Sequence, residues 1–144
     1  MKKKLKNLGI VGIAAITLFS TSYLNTLAGD ENISFKFNIK SWGGNGQESD
    51  GRYRNTPNAE CTWKVKLVTS GEGAGKDTTF WLELYDGTNV SGDITATQGG
   101  KAIYKEAYSS ASKATVYLTG ENNNLNGDTY SVSGYWDEET GVYF

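Results

Sequence analysis

The stretch CTWKVKLVTSGEGAGKDTTFWLELY, residues 61–85, decides the fold because it holds two segments in which apolar residues alternate strictly. The apolar rows are Cys61, Trp63, Val65 and Leu67 in the first segment and Phe80, Leu82 and Leu84 in the second. Successive side chains of a strand point to opposite faces, so each row predicts a strand with one face against a core. The glycine-rich segment between them, Ser70 to Lys76, predicts a hairpin turn that joins them as neighbours.

The same alternation recurs along the chain and predicts five further strands. They span residues 33–40, 89–96, 101–108, 113–119 and 129–136. A shorter edge strand is predicted at Arg52-Tyr53-Arg54, and Val142 to Phe144 is predicted to return to a sheet. About seven strands at spacings of roughly 10–15 residues are typical of an all-β, antiparallel β-sandwich or barrel.

The connection after Tyr85 bears on strand register. Asp86-Gly87 suggests a two-residue turn. That turn would place Val90 and Ile94 on the same face as Trp81, away from the apolar row of Leu82 and Leu84. A three-residue loop, Asp86 to Thr88, pairs Phe80 with Ile94 and keeps the apolar rows together. The alternative is that strand 78–85 is central and buried on both faces.

The N-terminus has the features of a cleaved signal peptide, residues 1–28. Four lysines within the first six residues precede an apolar run, Leu8 to Phe19, which is too short to span a bilayer. Thr26 and Ala28 fit the −3 and −1 positions of a cleavage site after Ala28, and an uncleaved anchor is the alternative. The sequence therefore predicts a single secreted, extracellular β-domain, 29–144, which meets the membrane only during export.

Charge and cysteine content narrow the classes of partner. Residues 29–144 carry 10 basic and 16 acidic side chains, a net charge of −6. Nucleic acids and anionic membranes select basic surfaces, so neither is a predicted partner. The single cysteine, Cys61, excludes an intrachain disulfide. Its phase with Trp63 predicts a buried thiol, and a reactive or intermolecular thiol is the alternative.

The second face of strand 78–85 predicts a ligand site. Trp81, Glu83 and Tyr85 lie in phase on it, and the three-residue loop places Asp93 across from Trp81. Aromatic rings stack on the apolar faces of sugars, and fixed polar groups bind the hydroxyls. We therefore predict a carbohydrate site of these four residues. The alternative is a face covered by the second sheet or by the loop at residues 41–58.

A second candidate site is the segment ENNNLNGD, residues 121–128. Asn122, Asn124, Asn126 and Asp128 supply alternating oxygen ligands of the kind that a calcium loop uses. The bidentate acid of such a loop would fall at Ser133, and an Asn/Gly-rich turn explains the same residues. Weak calcium binding is the metal hypothesis, and no cofactor is predicted.

Enzymatic chemistry has little support in the sequence. The chain contains no histidine, so Ser-His and Cys-His pairs are excluded. A glycoside hydrolase needs two facing carboxylates, for which Glu83 with Asp93 is the best pair and Asp137 to Glu139 the other cluster. The prediction is a protein that is not an enzyme, with a carboxylate hydrolase as the less favoured reading.

Several short motifs resemble a family of small secreted proteins of unknown function from Gram-positive, Bacillus-type bacteria. The motifs are RYR at 52–54, TWKVKL at 62–67, SGEG at 70–73, AYSSAS at 107–112, GENNN at 120–124 and SGYWDEET at 133–140. The resemblance implies export and one domain, and it brings no catalytic residues.

The predicted function is therefore a non-enzymatic binding module for a cell-surface or extracellular ligand, with cell-wall or extracellular carbohydrate as the partner. A bacteriocin-like secreted competition protein is the alternative.

Overall fold

The computed structural model describes residues 29–144, and the predicted signal peptide lies outside them. Nine strands and one short 3-10 turn, Ser109–Ala111, are formed. The strands are Ile33–Ile39 (β1), Gly46–Gln47 (β2), Arg52–Tyr53 (β3), Thr62–Ser70 (β4), Asp77–Glu83 (β5), Ile94–Thr97 (β6), Ile103–Glu106 (β7), Thr115–Asn122 (β8) and Tyr130–Asp137 (β9). In the described part of the chain, no helix has the length and apolar character needed to cross a membrane.

The strands form two antiparallel sheets that pack face to face. Sheet A has the order β1-β9-β4-β7, and sheet B has the order β2-β8-β5-β6 with β3 also on β8. The predicted all-β sandwich is confirmed. The loop at residues 41–58 adds two short strands to the predicted seven. β3 is the predicted short edge strand, whereas β2 was not predicted, and both pair with β8.

The predicted hairpin of β4 and β5 is wrong. β4 lies between β9 and β7 in sheet A, whereas β5 lies between β8 and β6 in sheet B. Two strands with alternating apolar residues can bury those residues either side by side in one sheet or facing each other from two sheets. The period-two pattern therefore does not distinguish a hairpin from a pair of strands in opposite sheets. The Ser70–Lys76 segment therefore crosses from one sheet to the other.

The register of β5 against β6 agrees with the three-residue loop at one end only. Phe80 pairs with Ile94 as predicted. Nearer the turn, Glu83 bridges Asn89, and the amide of Val90 donates to the carbonyl of Leu82, so the pairing has shifted by two residues. The apolar faces stay aligned because a shift of two preserves the side-chain phase. β5 is also buried on both faces, which is the alternative raised from its sequence.

The core consists of the inward rows of both sheets. The rings of Phe35 in β1 and Phe80 in β5 meet across the sandwich with centroids 5.6 Å apart. Trp63 and Trp136 are fully buried beside them. The two sheets also join at an edge, where the amide of Gly99 donates to the carbonyl of Leu67 at 3.0 Å. The buried faces are those that the alternation predicts.

A buried arginine holds the loop after β3 against the C-terminal segment. Arg54 is fully buried, and its guanidinium donates hydrogen bonds to the main-chain carbonyls of Glu138, Asn58 and Cys61. Arg52 pairs with the Glu138 carboxylate. The RYR and WDEET motifs therefore meet in one cluster, whose contacts are those of a structural clamp.

The first residues of the described chain are held against sheet A. The Lys64 ammonium binds the side chains of Asp30 and Asn32, and the Tyr104 hydroxyl donates to Asp30 at 2.7 Å. Partial burial by itself would raise the pKa of Asp30. The hydrogen bonds from Lys64 and Tyr104 outweigh it, so the pKa is lowered. Asp30, the second residue after the predicted cleavage position, is thereby held against sheet A.

Candidate functional site

The outer face of sheet B is closed at Trp81 and Glu83 by a hydrogen-bond network. The Trp81 indole donates to Oε1 of Glu83 at 2.7 Å, and Oε2 accepts from Gln47 and Thr119 at 3.0 Å each. Trp81 is 5% exposed and Glu83 is 8% exposed. Gln47 belongs to β2 in the long loop, so that loop covers this part of the face. Neither Trp81 nor Glu83 presents an open surface to a ligand.

Asp93 lies just before β6, beyond the last pair of the β5–β6 ladder, Phe80 with Ile94. The predicted place of Asp93 across from Trp81 stays a prediction. Asp93 is exposed, and its main-chain carbonyl accepts a hydrogen bond from Lys105 at 2.7 Å. Glu83 is fully engaged by three donors. Glu83 is therefore not open to a substrate as one carboxylate of a glycosidase pair would be.

Tyr85, the remaining residue of the predicted site, is open. It is 89% exposed, and its ring lies 6.2 Å from that of Tyr117 in β8. Tyr53 in β3 pairs with Thr115, two residues from Tyr117 on the same outer face. We call Tyr53, Tyr85 and Tyr117 the tyrosine surface.

Gly51 packs directly against the ring of Tyr117. A Cβ on Gly51 would stand 2.5 Å from Cζ of Tyr117, so the backbone and the ring are in direct contact. The tyrosine surface thus has a fixed ring in its middle and more exposed rings from two different connections beside it. The phase of strand 78–85 identifies Tyr85, but no local sequence pattern relates it to Tyr53 and Tyr117.

The asparagine segment forms a self-bonded turn after β8. Oδ1 of Asn122 accepts from the Asn124 amide at 2.7 Å, and its Nδ2 donates to Oδ1 of Asn126 at 2.9 Å. The Asp128 amide also donates to Oδ1 of Asn126. Within residues 29–144, no group of three or more acidic, cysteine or histidine side chains is placed to hold a metal ion. Calcium binding by this segment stays a prediction.

A polar pocket opens beside this turn. Its volume is about 500 Å³, and we call it the amide pocket after Asn124 and Asn126. The other polar residues that line it are Glu72, Lys76, Asp128, Thr129 and Tyr130. Nδ2 of Asn126 donates to Oε1 of Glu72 at 3.2 Å. Oε2 of Glu72 is buried without a hydrogen-bond partner. The nearby Tyr130 is neutral, because burial above all, with the adjacent Glu72, raises its pKa to about 12.

An exposed tryptophan lies over the same turn. Trp42 is 73% exposed, and its amide donates to the carbonyl of Asn126 at 2.8 Å. Its indole lies across Gly127, where Cζ2 would be 3.4 Å from a Cβ. The φ of Trp42 is 59°, a left-handed conformation that costs a residue of this size ~1–3 kcal/mol. Nothing in the sequence around Trp42 identifies it, since bulky residues rarely adopt this conformation.

A buried carboxylate near the N-terminal residues has an altered pKa. Asp137 accepts hydrogen bonds from the amides of Glu31 at 2.6 Å and Glu139 at 3.0 Å. Burial nevertheless raises its pKa to about 6. Its oxygens face main-chain amides in a closed setting, so we assign it to the structural clamp and not to a site.

The fold and these surfaces define an all-β sandwich domain with exposed aromatic side chains on one sheet face and at one loop end. A family model described as a protein of unknown function (DUF2712) matches residues 21–140, more than half of the chain. The chain belongs to this family. No curated protein and no solved structure matches.

Proposed function

We propose that this protein is a secreted, non-enzymatic module that binds an extracellular carbohydrate polymer through the tyrosine surface. The observation that carries the proposal is the grouping of Tyr53, Tyr85 and Tyr117 on one outer sheet face. Aromatic rings offer flat apolar area at low entropic cost, and their hydroxyls remain available for hydrogen bonds. Rings on an open sheet face suit an extended ligand better than one that needs an enclosed pocket.

Rigidity beneath the rings supports the same reading. Trp81 and Glu83 fill the neighbouring part of the face with hydrogen bonds to Gln47 and Thr119. Tyr117 is fixed by β8 and by the contact with Gly51. A preorganised surface loses less conformational entropy when a ligand binds, so even a weak contact gives measurable affinity.

Charge and the N-terminal sequence support an extracellular polymer over other partners. A net charge of −6 over residues 29–144 repels nucleic acids and anionic bilayers. Export rests on the signal-peptide features of residues 1–28. A neutral polysaccharide or the glycan of a cell wall would not be repelled by this negative charge.

The experiment is retention of the purified protein on insoluble peptidoglycan and on a panel of polysaccharides. The proposal predicts retention on at least one polymer, with loss in Tyr85→Ala and no loss in Tyr108→Ala. Tyr108 is the matched control because it is an exposed tyrosine that is not part of the tyrosine surface. Absence of retention on every polymer would reject the proposal, and inhibition of neighbouring bacteria by the same preparation would then support the competition protein.

A further inference from the structure

The amide pocket has the Glu72 carboxylate in its wall. Oε1 of Glu72 accepts a hydrogen bond from Asn126, and the Tyr130 hydroxyl lies beside the same carboxylate. A carboxylate has about four lone-pair sites, so these neighbours leave acceptor capacity for an N–H or O–H group of a ligand.

The remaining polar groups favour a ligand rich in donors. Glu72 and Asp128 contribute two carboxylates to the lining, against one ammonium from Lys76. The excess of negative charge attracts a cationic or neutral group and repels an anionic one. The amide and hydroxyl groups of Asn124 and Thr129 add both donors and acceptors of the kind that bind sugar hydroxyls.

Asn126 joins this pocket to the exposed indole of Trp42. Its main-chain carbonyl accepts from the Trp42 amide, and its side chain donates to Glu72. Gly127, under the indole, separates the pocket residues Asn126 and Asp128. The Trp42 indole therefore lies over the same turn as Asp128, next to the pocket that Glu72 also lines.

We propose that the amide pocket binds an amino-sugar unit, with its amine and hydroxyl donors on Glu72 and Asp128 and its ring against Trp42. This site is separate from the tyrosine surface. The inference rests on the proposed carbohydrate function for its ligand class, and it adds a subsite that selects by charge.

The tryptophans provide a direct measurement. Trp42 is 73% exposed, whereas Trp63, Trp81 and Trp136 are at most 5% exposed. Acrylamide quenching of the purified protein, expressed from the full-length chain, therefore reports mainly on Trp42. The proposal predicts that glucosamine protects this fluorescence from quenching at concentrations up to about 10 mM, the range for a millimolar Kd. Glucuronate at the same ionic strength gives no protection, because its carboxylate is repelled.

Two substitutions locate the effect. Glu72→Gln retains the shape of the side chain and weakens glucosamine binding about tenfold, as expected for loss of one charge-assisted hydrogen bond. Glu106→Gln, on the exposed side of β7, is the matched control and leaves the titration unchanged. Backbone NMR shifts on glucosamine addition should centre on Glu72 and residues 124–128.

Three results would overturn the inference: no protection by glucosamine, equal protection by glucuronate, or equal binding by Glu72→Gln. Each is separable from a failure of the proposed function. Retention on polymers that depends on Tyr85 would stand even if glucosamine did not bind the amide pocket.

Discussion

The indole nitrogen of Trp81 donates a hydrogen bond to Oε1 of Glu83 over 2.7 Å, on the outer face of sheet B. Both side chains are almost fully buried, so this pair supports the surface from within and does not contact a ligand. Exposed aromatic area on the same face comes instead from the tyrosine surface.

Replacement of Trp81 by phenylalanine should therefore change stability and not binding. Glu83 would keep its bonds to Gln47 and Thr119 and lose one donor to a buried carboxylate, at a cost of about 1.5–3 kcal/mol in the free energy of unfolding. Denaturant titration and polymer retention measure the two effects separately. A Trp81→Phe variant of wild-type stability that no longer binds the polymer would place the indole in the site.

Replacement of Gly134 by alanine should separate β9 from β4. A Cβ at this position would stand 1.9 Å from the carbonyl oxygen of Lys66, which is main chain and has little room to move. We expect a loss of at least about 2 kcal/mol in the free energy of unfolding. Gly127→Ala, where the nearest atom is at 3.4 Å, is the control and should cost far less. Similar losses in the two variants would contradict the β4–β9 packing.

Truncation of Trp63 to alanine should remove about 3–5 kcal/mol of stability. The side chain is fully buried between the sheets, so its loss leaves a cavity as well as the transfer cost. Urea titration measures the change, with Tyr85→Ala expected within about 0.5 kcal/mol of wild type because its ring is exposed. A loss below about 1 kcal/mol for Trp63→Ala would mean that β4 faces the core with its other row.

Asp137 should make stability fall as pH rises from about 4 to about 6. Its pKa is about 6 in the folded protein and near 3.8 when unfolded, so the folded state binds the extra proton in this window. Protonated Asp137 therefore contributes to the free energy of unfolding at low pH, and this contribution is lost as the pH rises through the folded pKa. The full loss is about 3 kcal/mol.

The test compares Asp137→Asn with wild type by denaturant titration across the same pH range. The difference in slope between the two proteins isolates Asp137 from the other carboxylates, and Asp50→Asn, at an exposed position, is the control. Parallel pH profiles for wild type and Asp137→Asn would show that Asp137 does not titrate in this window.

Lysine should not replace Arg54. The planar guanidinium reaches the carbonyls of Glu138, Asn58 and Cys61 at once, whereas a single ammonium lacks that fork geometry. We expect Arg54→Lys to lose about 2–3 kcal/mol in thermal or denaturant unfolding. Lys113→Arg, on an exposed side chain, controls for the exchange itself. An Arg54→Lys variant within about 0.5 kcal/mol of the wild-type free energy of unfolding would show that the guanidinium bonds do not stabilise the fold.

Strands and their buried faces could be predicted because period-two alternation is local. The row from Tyr130 to Trp136 and the row from Phe35 to Ile39 face the core as the sequence indicates. Pairing partners could not be read in the same way. β4 and β5 have equivalent patterns, and their placement in opposite sheets depends on strands that are distant in sequence, such as β8 and β9.

The candidate sites show the same division. Tyr85 was predicted from its phase, but burial of Trp81 depends on Gln47, which lies more than thirty residues earlier in a loop without a pattern. Arg54 belongs to the predicted edge strand, and nothing in the local sequence shows that its guanidinium is buried among main-chain carbonyls. Trp42 is displayed by a left-handed backbone conformation that its residue type disfavours.

The most direct measurement is the affinity of the Tyr53→Ala/Tyr85→Ala double variant for a soluble oligosaccharide of whichever polymer retains the wild-type protein. Isothermal titration of wild type, the double variant and Tyr108→Ala gives the comparison at equal stability. The proposed function predicts a Kd at least about tenfold higher for the double variant and an unchanged Kd for Tyr108→Ala, since each stacked ring contributes roughly 1 kcal/mol. Equal Kd values for all three proteins would contradict binding through the tyrosine surface.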